Sequence, residues 1–134
     1  MQVTIFKNVF DKKSPHHIPL QTALKRIQEG KSSALVSEVR DGDKTKKQKL
    51  PVVCFSGEFS SRSDDALFEH SGFIVLDFDH VDVEATKRAL ATDDFIHSCW
   101  TSPSGNGVKA LVKITNPERH RDHFRALIKY FERT

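Results

Sequence analysis

The residues best placed to do chemistry are Asp77 and Asp79, which close the apolar run Gly-Phe-Ile-Val-Leu-Asp-Phe-Asp over 72–79. In a strand alternate side chains share a face, so the two carboxylates point the same way with Cα atoms about 6.6 Å apart. Ile74, Leu76 and Phe78 then take the opposite, core-facing side. Carboxylates at that spacing can converge on one hard cation such as Mg²⁺ or Mn²⁺. Two adjacent ions bridged by the pair would suit phosphoryl or nucleotidyl transfer. The alternative is a pair of solvated carboxylates where a strand runs out into a loop.

The second element is Thr-Ser-Pro-Ser-Gly-Asn-Gly-Val-Lys over 101–109. Ser102, Ser104, Gly105, Asn106 and Gly107 have the chemistry of a tight turn or of a phosphate-cradling loop, because glycines let backbone amides turn toward an anion and the serines add hydroxyls. Lys109 adds positive charge. Lys109, Leu111 and Lys113 alternate with Val108, Ala110, Val112 and Ile114. With the second set on the core, Lys109 shares the open face with the aspartates.

These residues need strands and helices to hold them. Residues 2–8 alternate as a short strand with Val3 and Ile5 on one side, and a helix opening at Pro19-Leu20 carries Leu20, Leu24 and Ile27 until Gly30 stops it. Ser32 or Ser33 caps a second helix carrying Leu35, Val36 and Val39, and 41–49 follows as a polar, basic loop. Residues 50–55 form a strand turned at Ser56-Gly57, and 60–71 read as a polar loop with one helical turn. After the acidic strand, Asp82 caps a helix over 83–91, strands follow over 95–101 and 108–114, and Asn116-Pro117 opens the last helix. Phe124, Leu127, Ile128 and Phe131 form its apolar stripe.

The expected class is α+β, one domain over 1–134: a small N-terminal α/β layer over 1–71 beside a β-α-β-β-α unit over 72–134. That unit is most of the split β-α-β pattern of ferredoxin-like or RNA-recognition-like folds without the last strand. The stripe runs straight into Thr134, which reads as a chain trimmed at its C-terminus.

With 134 residues, 37% hydrophobic and 29% charged, the chain suits a globular protein with one modest core, and a net charge of +3 permits nucleic-acid binding without demanding it. Basic residues cluster at Arg40, Lys44, Lys46, Lys47 and Lys49 and again at Arg119, Arg121, Arg125, Lys129 and Arg133, as solvated faces or phosphate contacts. Arg62, with Asp64 and Asp65, sits in the polar loop before the acidic strand, as a surface residue or a nucleotide contact. His120 and His123 read as exposed helix residues, His80 points away from the aspartates, and the register of His97 stays open. Cys54 and Cys99 read as buried free thiols of a reducing cytosol. No signal peptide or membrane-length apolar run is present, so the expectation is cytoplasmic, with no membrane partner.

Taken together, Phe-Ile-Val-Leu-Asp-Phe-Asp-His and Ser-Pro-Ser-Gly-Asn-Gly-Val-Lys resemble the archaeo-eukaryotic primase-polymerase superfamily, and are most similar to its VirE N-terminal-type branch from bacterial mobile elements. The stretch Lys-Leu-Pro-Val-Val-Cys-Phe-Ser-Gly-Glu-Phe over 49–59 looks like the segment that precedes the acidic strand there. The resemblance spans roughly 47–131. It implies a primase-polymerase-like fold and a metal-dependent nucleotidyltransferase that acts in replication of DNA or of mobile elements. Asp77 and Asp79 would be catalytic and hold Mg²⁺ or Mn²⁺, and Ser104, Gly105, Gly107 and Lys109 would cradle the triphosphate. Nucleoside triphosphates and a single-stranded DNA template would be partners, with Lys46, Lys47, Lys49 and the last helix as template contacts, and a helicase or other domain downstream. Many members carry His where this chain has Lys109, and the expected third acidic residue is missing after it.

Two other readings compete. The same sheet could bind nucleotide or nucleic acid without catalysis. An apolar strand ending in Asp-x-Asp is also a haloacid dehalogenase phosphatase signature, with Asp77 as nucleophile and Asp79 as acid, but His80-Val81 follows in place of the usual Gly-Thr.

Overall fold

The computed structural model describes residues 1–132. The expectations for Arg133, and for the side chains of Lys44 and Asp64, lie outside the described residues. Among the described residues the chain is α+β, with three small antiparallel sheets and four α-helices. The strands are β1 (Gln2–Phe6), β2 (His16–Pro19), β3 (Val52–Cys54), β4 (Gly57–Phe59), β5 (Leu67–His70), β6 (Phe73–Phe78), β7 (Ile96–Thr101) and β8 (Val108–Lys113). The helices are α1 (Leu20–Gln28), α2 (Ser33–Arg40), α3 (Val83–Ala91) and α4 (His120–Phe131).

The sheet that matters most has the order β6-β8-β7, antiparallel throughout, so β6 and β7 run parallel and α3 crosses from one to the other over β8. Its two faces are packed against different partners. Ile74, Leu76, Val112 and Ile114 meet Leu127 and Phe131 of α4, and Val108 and Ala110 meet Leu90 of α3. On the other face Phe73 and Leu111 join Val3, Leu20, Ala23 and Phe55 from the N-terminal half. The alternation expected along β6 and β8 is therefore present, but both sets of apolar residues are core. Only the end of the second face, from Val75 to Asp77, is left uncovered enough to be a site.

Local chemistry accounts for several boundaries. The Asp82 side chain accepts from Ala85 N–H and caps α3, as a short side-chain acceptor before a helix should. Pro117 opens a short 3-10 turn (Pro117–Arg119) ahead of α4, so the last helix starts later than Asn116-Pro117 predicts. The basic 41–49 segment contains a 3-10 turn, Lys44–Lys49, begun by Asp43 accepting from Thr45 N–H.

Two strands go beyond the sequence reading, one in a stretch it left unassigned and one in the segment it read as loop. His16–Pro19 pairs with β1 as β2, and 60–71 holds a 3-10 turn, Asp64–Ala66, followed by β5, which pairs with β4. Neither shows a clean period of two: β4 and β5 carry a register shift between Glu58 and Phe59. Thr4, completely buried in β1, donates to the Gly57 carbonyl at 2.9 Å and accepts from Phe59 N–H at 2.8 Å, tying the first sheet to the second. Cys54 and Cys99 are free and half-buried, and burial pushes the Cys54 thiol up. No helix among the described residues is long and apolar enough to cross a membrane.

His120 is not a free surface residue. Its Nδ1 lies 2.9 Å from Nε2 of His70, whose Nδ1 accepts from Gly72 N–H. That chain requires a neutral His70 protonated on Nε2, which donates to a neutral His120. Burial, and then the neighbouring imidazole (His120 for His70, His123 for His120), holds both below the ordinary value of 6.5. The native pair therefore binds fewer protons than the unfolded chain, so its contribution is present above that ordinary value and lost as pH falls through the lowered folded values. The thermal midpoint is expected to fall between about pH 7 and pH 5, and His70→Ala/His120→Ala to flatten that slope. Melts across the range would check it; an equally steep double variant would place the transition elsewhere.

Candidate anion-binding cleft

Cross-strand register places the site residues. Asp77 of β6 stands opposite Lys109 of β8, which stands opposite Trp100 of β7. Lys109 Nζ lies 2.6 Å from Asp77 Oδ1, and both side chains are partly exposed. Asp79 lies just past the end of β6 rather than within it. Its Oδ1 is 3.4 Å from where a Cβ on Gly107 would be, and Ser102 Oγ is 3.2 Å from the same point. Asp79 therefore approaches the hairpin at Gly107, beyond the strand ends, while Asp77 is paired with Lys109 within the sheet.

The loop is a hairpin end. Ser102 N–H donates to the Gly107 carbonyl and Gly105 N–H to the Ser102 carbonyl. Ser102 Oγ lies 3.0 Å from Ser104 Oγ, and Ser104 Oγ donates to Asn106 Oδ1. The Asn106 amide approaches His80 Nδ1 at 3.4 Å, while Val81 N–H donates to the Asn106 carbonyl. His80, with φ of 55°, thus turns the chain toward the loop and not toward the aspartates. The hydroxyls of this loop are engaged with one another, which makes it a preformed turn.

Beside the Asp77–Lys109 pair lies a cleft of about 790 Å³ between the sheet and the N-terminal half. Val75, Phe55 and Trp100 supply apolar surface, with the Phe55 and Trp100 rings 5.4 Å apart. Arg26, Lys31, Arg40, Lys47 and Lys109 line it, and among the described residues no Asp or Glu does. Lys31 has Glu29 at 3.7 Å and Lys109 has Asp77, whereas Arg26, Arg40 and Lys47 have no carboxylate partner among the described residues. A concave, partly apolar surface with one sign of charge concentrates that field and favours an anion.

The predicted nucleic-acid contacts separate. Lys47 lines the cleft; Lys46 and Lys49 lie on the same 3-10 turn outside it. Arg62 is half-buried structure: its Nη2 donates to the Val9 carbonyl and its backbone N–H to the Lys12 carbonyl. The basic residues of α4 are on the far side of the sheet, since Leu127 and Phe131 pack on the face opposite Lys109, and Arg119 pairs with Asp122. His97 falls in the bulge between Ile96 and Ser98 and meets Phe73, at the other end of the sheet from Asp77. Arg26, Lys31 and Trp100 were missed in the sequence, where nothing marks a lone cation on α1 or a strand tryptophan as facing a shared cleft.

Among the described residues no group of three or more His, Cys, Asp or Glu is arranged to hold a metal ion. Asp77 and Asp79 offer two carboxylates, one already neutralised by Lys109. That donor set fits Mg²⁺ or Mn²⁺ only in company with substrate phosphates and water, which is how Mg²⁺ is commonly held.

Residues 45–133 match the family described as BT4734-like, N-terminal domain, well over half of the chain, and the chain belongs to that family. No match was found to a curated protein or to a solved structure. The match corrects the resemblance to the primase-polymerase superfamily and its VirE N-terminal-type branch. An Asp-x-Asp strand end and a Ser/Gly-rich hairpin turn are short features that strand and turn chemistry produce on unrelated backbones, so together they did not identify the family.

Proposed function

We propose that this member of the BT4734-like N-terminal domain family is a nucleotide-binding module, whose cleft takes the base against Trp100, Phe55 and Val75 and the phosphates among its cations. The observation that carries the reading is the lining itself: five cationic side chains and, among the described residues, no carboxylate around about 790 Å³. The Ser102–Gly107 hairpin stands beside Lys109 as a preformed turn, with its serine hydroxyls and the Ser102 and Gly105 amides engaged within it. The strand order β6-β8-β7 with α3 crossing over supports our reading of the second half as a partial ferredoxin-like, or RNA-recognition-like, unit.

Metal-dependent nucleotidyl transfer is the second reading. It is favoured by two exposed carboxylates, Asp77 and Asp79, at one sheet end beside the hairpin. There the pair would hold Mg²⁺ or Mn²⁺ jointly with the nucleotide phosphates, and the ion would stabilise charge on the transferring phosphoryl group. Lys109 seated on Asp77 counts against it as the resting arrangement.

Asp77→Asn separates the two. Trp100 is the single tryptophan, so its fluorescence reports on the cleft directly. Titrated with adenosine triphosphate in the absence of divalent metal, Asp77→Asn is expected to bind about two- to fivefold more tightly than wild type, because a partly exposed ion pair no longer competes for Lys109. Metal-dependent binding that Asp77→Asn abolishes would favour the second reading. Absence of any binding to the wild-type protein, with or without Mn²⁺, would sink both.

A further inference from the structure

Arg40 ends α2, where the exposed carbonyl ends of a helix favour a cation. Its Nη2 donates to the Ser102 carbonyl at 3.1 Å. Its stem lies over the hairpin, with Cγ 3.3 Å and Cδ 3.5 Å from where a Cβ on Gly105 would be. The same side chain lines the cleft. One of its donors serves the loop; no carboxylate takes the rest among the described residues. Lys109, by contrast, is occupied by Asp77 at 2.6 Å. The strongest uncommitted donor array at the junction of cleft and hairpin is therefore the Arg40 guanidinium, whose planar fork matches a phosphate better than an ammonium does.

We infer that Arg40 is the principal receptor for the anionic end of the bound nucleotide and, through Ser102, holds the 102–107 hairpin against it. The inference rests on the nucleotide-binding reading and names the residue that performs its anion recognition. Lys109 is the secondary contact, released from Asp77 only when a ligand phosphate competes for it. Because Arg40 belongs to α2, occupancy of the cleft also couples the N-terminal half to the hairpin, and to the adjoining 3-10 turn that carries Lys47.

The test uses the whole chain and two probes, inorganic tripolyphosphate by calorimetry and adenosine triphosphate by Trp100 fluorescence. Arg40→Met keeps a stem of similar length over Gly105 and removes the charge and donors. It is expected to weaken both probes about ten- to a hundredfold. Arg40→Lys should recover part of that loss, which replacing a purely structural prop would not do. If Arg40→Met does not fold, Arg40→Gln makes the same comparison with a loop donor retained. Wild-type binding matched within about twofold by the neutral variant overturns the assignment to Arg40 while leaving the cleft reading intact. A wild type that binds neither probe overturns the cleft reading, and this inference with it.

Discussion

Gly57→Ala is expected to leave little folded protein. A Cβ at Gly57 would sit 2.0 Å from the Glu69 carbonyl oxygen and 2.9 Å from His70 Cα, and these are backbone atoms that cannot swing aside. Gly57 pairs with His70 across the β4–β5 ladder, and its carbonyl accepts the Thr4 hydroxyl. Relieving the clash would therefore open the hairpin and the buried Thr4 bonds at once. The loss should exceed about 3 kcal/mol, the range of strain combined with a broken buried network. Gly42 is the control: its φ of 107° is also positive, but nothing lies within 4 Å of its missing Cβ. Gly42→Ala should cost only about 1 kcal/mol, from backbone strain alone. Urea melts of both variants would decide it, and equal losses would show that the close approach at Gly57 is not what matters.

Lys109→Glu should weaken adenosine triphosphate binding by about a hundredfold under the nucleotide reading, because it reverses a charge at a secondary contact where Arg40→Met only removes one. The substitution removes a cation from the cleft and sets a second carboxylate opposite Asp77, so the sheet end changes from a balanced pair to two like charges. Lys113→Glu makes the same charge change on the same face of β8, but Lys113 is exposed, pairs with Phe73 and lies outside the cleft. It should bind nearly as wild type. The comparison removes any effect of net charge and leaves position as the variable. Trp100 fluorescence reads both titrations, and a similar response of the two variants would mean that anions are drawn to the protein generally and not to this cleft.

Both expectations depend on features read at different distances along the chain. The alternation along β6 and β8 was legible because period two is a local property; that Asp77 and Lys109 share a side depended further on which set of β8 residues faces α3 and α4. The α3 cap at Asp82 was local for the same reason. The resemblance drawn from the two motifs went further than such local features allow, and the BT4734-like family match replaced it. The 60–71 segment was read as loop because β5 is short, Phe68 is exposed in it, and its pairing with β4 slips by a residue. No periodic signal survives that combination.

The sequence by itself determined the acidic strand, the turn that follows β7, and the alternation along β8, since each is set by residues within a few positions of one another. Only the tertiary structure decided that Lys109 is held by Asp77, that His70 meets His120, and that the basic side of α4 lies across the sheet from the cleft. It also decided that Arg26, Lys31, Arg40 and Lys47 line one cleft with Trp100. These pairings join residues tens of positions apart, and they follow from which face of the sheet each helix covers. That choice is made by burying the whole set of apolar side chains together, a sum over the entire core that no short stretch of residues contains.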